Sequence, residues 1–268
     1  MQLHLLPFVI CLLAGVLLFA GGWLATARGQ RAALAAAITA FALLLAKMVL
    51  AWEPVWEAAL FPWPAYIFLQ GFAIFLIGLL FFGIAMPQLK VAWNRVLVGL
   101  LAAGVLAYAA YANLWMVAPE VHGEERGADA AHHYHQTTFH TCAPSSCVSA
   151  LSYVGVAATE REMSALCLTH DDGTTVFNTY RGLTLKLLGT PWRCRVVRRS
   201  AAELLTTGTT AVITELPGFH AIATCGLGGA VEVQDPLLQK PVRWTLAQLV
   251  EHYDGPVAVV IEPVTGAP

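Results

Sequence analysis

Charge is what this sequence has least of. Asp, Glu, Lys and Arg make up 12% of its 268 residues, about half the share of an ordinary soluble domain. The scarcity is uneven. Before Val117 the charged residues are Arg28, Arg31, Lys47, Glu53, Glu57, Lys90 and Arg95. No basic tract accumulates and the formal net charge is −2, so the electrostatic footprint of a nucleic-acid binder is absent. A phosphate-cradling Gly-x-x-x-x-Gly-Lys is also missing, which excludes a nucleotide loop of that type. Residues 1–4 lack the basic residue of a secretory leader. The small-residue stretch Leu24-Ala25-Thr26-Ala27 is therefore set aside as a cleavage site, and the apolar run before it is kept as a span.

In place of charge there is apolar length: 57% of residues are hydrophobic, and mean hydropathy is +0.64. Four runs, residues 5–25, 32–52, 64–86 and 93–117, each approach the ~20 residues a helix needs to cross a bilayer. Inside hydrocarbon the backbone must satisfy its own hydrogen bonds, so these runs are expected to be helices. They lack the polar stripe that a soluble bundle requires. Arg28 and Arg31 fall between runs one and two, and Lys90 and Arg95 between three and four, whereas residues 53–63 hold no Lys or Arg. Positive loops stay cytoplasmic, which puts the N-terminus and everything after Val117 outside. Trp52, Trp56, Trp63, Trp93 and Trp115 lie near the span ends, where interfacial aromatics collect. Lys47 sits about one turn inside the end of span two and can snorkel outward.

Composition turns ordinary from Glu120 onward. Residues 1–117 are thus expected to form a four-helix transmembrane domain with the lipid bilayer as partner. Residues 118–131, rich in Pro, Glu, Gly and Asp, form a linker, and 132–268 a globular domain. Helices are expected over 144–154, 159–168, where Thr159 and Glu162 have capping-box spacing, and 173–188, ended at Gly189-Thr190-Pro191. Strands are expected over 193–197, 210–216, 220–225, 230–234 and 256–261, with a glycine turn at 226–229 and a short helix at 245–253. Helices first and an antiparallel sheet after them make an α+β domain.

Chemistry concentrates around Cys142, which precedes Ala143-Pro144-Ser145-Ser146 at a helix start. A thiol there meets the positive end of the helix dipole, which favours the reactive thiolate. A lone cysteine would more simply be inert packing, but this one has company in a useful order. Gln136 lies one short loop upstream and can donate to a developing oxyanion. His220, following Pro217-Gly218-Phe219, can accept the thiol proton. Asp235 ends the next strand and can orient the imidazole.

At these residues the domain resembles the double-glycine leader peptidases, the bacteriocin-processing branch of the papain-like cysteine proteases. Gln136-Thr-Thr-Phe-His-Thr-Cys142, Leu151-Ser152-Tyr153-Val154-Gly155, Thr159-Glu160, Gly173-Thr174-Thr175, His220-Ala221-Ile222-Ala223 and Asp235-Pro236 carry the resemblance, and residues 244–260 match the family's closing helix and strand. It implies a papain-like fold over about 132–262, with Cys142 as nucleophile, His220 as base, Asp235 as orienting acid and Gln136 as oxyanion donor. It also implies that the Cys142 N–H is a second oxyanion donor and that amide bonds are cleaved through an acyl-thioester. Two positions depart from the family: Thr141 and Ala143 stand where Asp and Gly are usual. Such peptidases usually precede an exporter on the cytoplasmic side, whereas this domain comes last and is expected outside. The double-glycine substrate therefore does not follow, and the exporter partner is unknown. The expected molecule is a membrane-anchored cysteine peptidase of the bacterial inner membrane, its C-terminal domain periplasmic, acting on a peptide or protein there. The alternative is an inactive peptide-binding or sensing module with the same fold.

Outside the cytoplasm Cys147, Cys167, Cys194 and Cys225 invite disulfides. Sequence does not fix their connectivity, Cys147–Cys167 and Cys194–Cys225 being the pairing that consecutive helices and strands suggest, and the even count leaves Cys142 as the odd thiol. Cys11 reads as a small apolar residue of the first span. His132, His133, His135 and His140 could bind a metal, but no partner ligand has familiar spacing, so no metal or cofactor is assigned. Asp171-Asp172-Gly173 begins like a calcium loop but lacks the later ligands and reads as a turn.

Overall fold

The structure is a computed structural model that describes residues 2–200, 202–203, 210–214, 220–227, 230–253 and 257–264. The expected fold class is what it shows: long apolar helices first, then an α+β domain with an antiparallel sheet. Two compact units form.

The first unit holds α1 (Gln2–Ala27), α2 (Gln30–Trp52), α4 (Tyr66–Ala85) and α5 (Ala92–Ala112). All four are long and apolar enough to cross a membrane. Their exposed faces carry Leu17, Ile38, Phe41 and Leu100, the inverse of a soluble helix and suited to hydrocarbon. Helix α4 is the inner one, with Phe68, Phe72, Leu76 and Leu79 buried. Helix α1 meets it backbone to backbone, because Gly22 faces Leu80 and Gly83 faces Phe19. A Cβ on either glycine would run into a carbonyl oxygen. Small residues permit such close helix approach in membranes. Thr26 Oγ1 donates to Ile84 O at 3.0 Å in the same seam.

The second unit holds residues 54–64 and the chain from Pro119 onward. Short helix α3 (Pro54–Leu60) packs against strand β1 of this unit, and Tyr180 Oη donates to Pro62 O at 3.2 Å. Helices α6 (Cys142–Tyr153), α7 (Glu160–Cys167) and α8 (Val176–Lys186) follow, then β1 (Trp192–Arg198), β2 (Thr210–Thr214), β3 (Ala221–Leu227), β4 (Ala230–Gln234), β5 (Val242–Trp244), α9 (Leu246–His252) and β6 (Val257–Pro263). The sheet runs β1-β6-β2-β3-β4-β5 with every neighbour antiparallel. Both its faces are covered. Ala211, Ile213, Ile222, Val231, Val233, Ala258 and Val260 pack on one side with Leu249 and Tyr253 from the α9 region. Residues of alternate register face α6 and α8, as when Tyr153 Oη donates to Glu232 at 2.5 Å. Burial on both faces explains why Val257–Ile261 is continuously apolar and inaccessible.

Local chemistry sets the helix limits. Thr159 Oγ1 accepts from Glu162 N at 3.1 Å at the start of α7, but the Glu162 carboxylate turns away to Lys186 at 2.6 Å. The reciprocal capping box occurs instead at Thr245 and Gln248 on α9. Strand β5 was not anticipated, and the Gly228-Gly229 part of the expected turn lies outside the described residues, as does Phe219.

The expected disulfides are absent: all six cysteines are free thiols. Cys194 and Cys225 cannot pair, because their register row runs Cys194–Ile261–Thr210–Cys225. Three strand spacings, about 14 Å, therefore separate them. Cys147 and Cys167 are both fully buried free thiols, and burial pushes the Cys147 pKa well up.

Candidate active site

Helix α6 opens at Cys142, with Thr141 before it and Pro144 in the first turn, where a missing N–H has no cost. His220 immediately precedes β3, and Asp235 immediately follows β4. The hairpin partners thus bring together two side chains fifteen residues apart. His220 Nε2 lies 2.9 Å from Asp235 Oδ1, which leaves Nδ1 for another partner. Burial alone would lower the His220 pKa. Hydrogen bonding to Asp235 and to Cys142 outweighs it and holds the imidazole at about 9. Burial would likewise raise the Asp235 carboxyl, but its bond to His220 and the Leu237 N–H at 2.9 Å keep it below the usual carboxylate range.

Two clips register the parts. Ser146 Oγ, one turn after Cys142, donates to Ala221 O at 2.9 Å, so α6 is tied to the residue next to His220. Gln136 N donates to Pro236 O at 3.0 Å, so the loop before Cys142 is tied to the residue next to Asp235. Gln136 is buried and its Nε2 donates to Thr138 O at 2.9 Å. The amide's second N–H remains for another acceptor. All four residues singled out from the sequence therefore lie on segments pinned to one another.

Glu160 was noted in the sequence only as part of a helix start, yet it organises the loop. Fully buried, its carboxylate accepts from Thr137 Oγ1 and Thr141 Oγ1, each at 2.6 Å, and from Thr137 N at 2.9 Å. Tyr134 Oη at 3.0 Å, Glu124 N at 3.1 Å and Ser145 Oγ at 3.1 Å complete the set. Burial pushes its pKa up, but these donors win and hold it below the usual range. Thr141, at the position where the family usually has Asp, thus supplies a donor to a buried anion, which a carboxylate could not do. Ala143 is buried without strain on the helix.

The histidine cluster disperses. His132 Nδ1 bonds Ser152 Oγ at 2.8 Å and its ring stacks on Tyr153. His133 is buried between Gln234 Oε1 at 2.8 Å and Leu238 O at 2.9 Å, so it grips the chain on both sides of Asp235. His135 lies against Leu238 O at 3.2 Å. His140 packs instead beside His122 and Phe139.

No protein-family model matches the chain, and no curated protein matches it. Solved structures do. One is a double-glycine-motif protease from an AMS/PCAT transporter, in complex with the leader peptide. It is 16% identical with a TM-score of 0.43, over 54% of this chain and 100% of that one. The peptidase domain of Streptococcus ComA, described as a bifunctional ABC transporter of a quorum-sensing pathway, is 18% identical with a TM-score of 0.41. The match covers 49% of this chain and 97% of that one. The peptidase domain of Streptococcus mutans ComA is 16% identical with a TM-score of 0.37, over 49% and 99%. The likeness is one of fold. What the site can do rests on the side chains described above.

Proposed function

We propose that this protein is a papain-like cysteine peptidase anchored in the bacterial inner membrane, its C-terminal domain extracytoplasmic and its substrate a peptide or protein on that side. The observation that carries the reading is the His220 imidazole, fixed through Nε2 on Asp235 Oδ1 at 2.9 Å and placed beside the strand that Ser146 ties to the helix opened by Cys142. Cys142 attacks the scissile carbonyl, forming a C–S bond. The oxyanion takes donors from Gln136 Nε2 and the Cys142 N–H. His220, protonated, gives its proton to the leaving amine as the C–N bond breaks. It then takes a proton from water, which hydrolyses the thioester and releases the thiolate. Exposed Phe139, three residues before Cys142, and Leu237 and Leu238, just after Asp235, offer apolar surface to a peptide substrate.

Iodoacetamide labelling of the full chain in detergent at pH 6.5, read by peptide mapping, tests this. Cys142 is expected to alkylate at least about tenfold faster in the wild type than in His220→Ala, because the imidazolium stabilises the thiolate. Equal rates, or an unlabelled Cys142, leave the peptidase reading without its central pair. An inactive peptide-binding module would then account for the same fold.

A further inference from the structure

We infer that Glu120, His122 and Asp171 form a binding site for one divalent transition cation of the zinc class, separate from Cys142 and His220. These residues are up to 51 positions apart in sequence, yet one ligand atom from each lies within 4.8 Å of the others. The decisive group is His122. Its Nε2 is buried and has no hydrogen-bond partner, although an imidazole nitrogen ordinarily finds one when removed from water. That nitrogen points at Asp171 Oδ1, 3.8 Å away, with only 13% of the His122 side chain exposed. The His122 backbone N–H donates to Ser164 Oγ of α7 at 3.3 Å, which ties the chain at His122 to that helix. Asp171 is presented just as firmly. It sits at the tip of a turn closed by His170 N to Gly173 O at 3.2 Å and Gly173 N to His170 O at 2.8 Å, with Gly173 at φ 99°.

One imidazole nitrogen and two carboxylates make a mixed nitrogen–oxygen donor set that neutralises a double positive charge. The imidazole favours zinc-class cations over calcium or magnesium, which take oxygen ligands. Ligand atoms in a closed zinc shell lie roughly 3.3 Å apart, from Zn–N and Zn–O lengths near 2.0–2.2 Å. Only the two exposed carboxylates need to move inward. The His140 ring lies 6.0 Å from that of His122, two residues before Cys142. A bound cation would join the segment after the membrane helices to the α7–α8 turn, beside the loop that leads into the active site.

The full chain in detergent, stripped with EDTA and dialysed against limiting Zn2+, is measured for metal by mass spectrometry beside Asp171→Asn, Glu120→Gln, His122→Ala and Cys142→Ser. The expected result is one more retained equivalent in the wild type and Cys142→Ser than in the other three, with at least tenfold weaker binding in Asp171→Asn. Asp171 and Glu120 are exposed, so their variants remain informative even if His122→Ala fails to fold. Co2+ in the same site should give visible ligand-field bands without the intense near-ultraviolet thiolate transition. Equal metal in all five proteins, a thiolate transition, or displacement of Zn2+ by equimolar Ca2+ or Mg2+ overturns the site. None of these readouts depends on peptidase activity.

Discussion

At the scale of single residues, charge burial is the organising constraint. His220 has its pKa held above the ordinary 6.5, at about 9. Its pairing therefore stabilises the fold fully below pH 6.5 and loses that contribution as pH rises through about 9. In Asp235→Asn the His220 midpoint followed by NMR should fall toward 6.5. The stability gap to wild type should be widest between about pH 4 and 6.5, where Asp235 is ionised and His220 protonated, and close toward pH 9. A midpoint unchanged by the substitution would detach Asp235 from the imidazole. Glu160 has the opposite sign: its pKa is lowered, so its contribution is present above about 4.5 and fades as pH falls below that. Glu160→Gln keeps the shape but turns an NH2 toward donors such as Thr137 N and Thr141 Oγ1. A loss of about 2–4 kcal/mol is expected in denaturant unfolding, with a slower Cys142. Cys142, His220 and Asp235 were legible because each stands at the end of an element the sequence marks well. Glu160 was not, since an acid in a helix's first turn has an ordinary explanation in the dipole, and its six donors come from three separate segments.

At the scale of elements, helix α6 and the β3–β4 hairpin are separate pieces that must share one register for the site to exist. Ser146 supplies it through Ala221 O. Removing that hydroxyl leaves a buried carbonyl short of a donor, so Ser146→Ala should cost about 1–3 kcal/mol. Because the bond lies between the helix that carries Cys142 and the strand that follows His220, Cys142 alkylation should slow more than the stability loss explains. Unaltered labelling in a destabilised protein would reduce Ser146 to a packing role. Helices and most strands were readable from periodicity and caps. Their lateral order was not, and the failed Cys194–Cys225 pairing shows why. Two cysteines on strands look pairable in sequence, but β6, from the far end of the domain, and β2 insert between β1 and β3. The three residues of β5 are too few for any period to show.

At the scale of the whole molecule, the membrane half was the most legible part. Hydropathy alone marks helices that lipid leaves no alternative to. It is silent on how they pack, which depends on glycines such as Gly22 and Gly83 that the sequence scatters without pattern. Orientation rests on few charges. Arg28, Arg31, Lys90 and Arg95 fall in two of the connections, and the orientation proposed from the positive-inside rule puts those connections in the cytoplasm. Alkaline phosphatase fused after residue 268 should then be active and a fluorescent protein at the same place dark, whereas fusions after residue 29 or 90 should behave oppositely. Replacing all four basic residues by Gln should erode this difference, since no other short loop supplies a competing Lys or Arg. A fluorescent C-terminal fusion in the wild type would put the C-terminal domain in the cytoplasm. A substrate for the proposed peptidase would then have to be sought there.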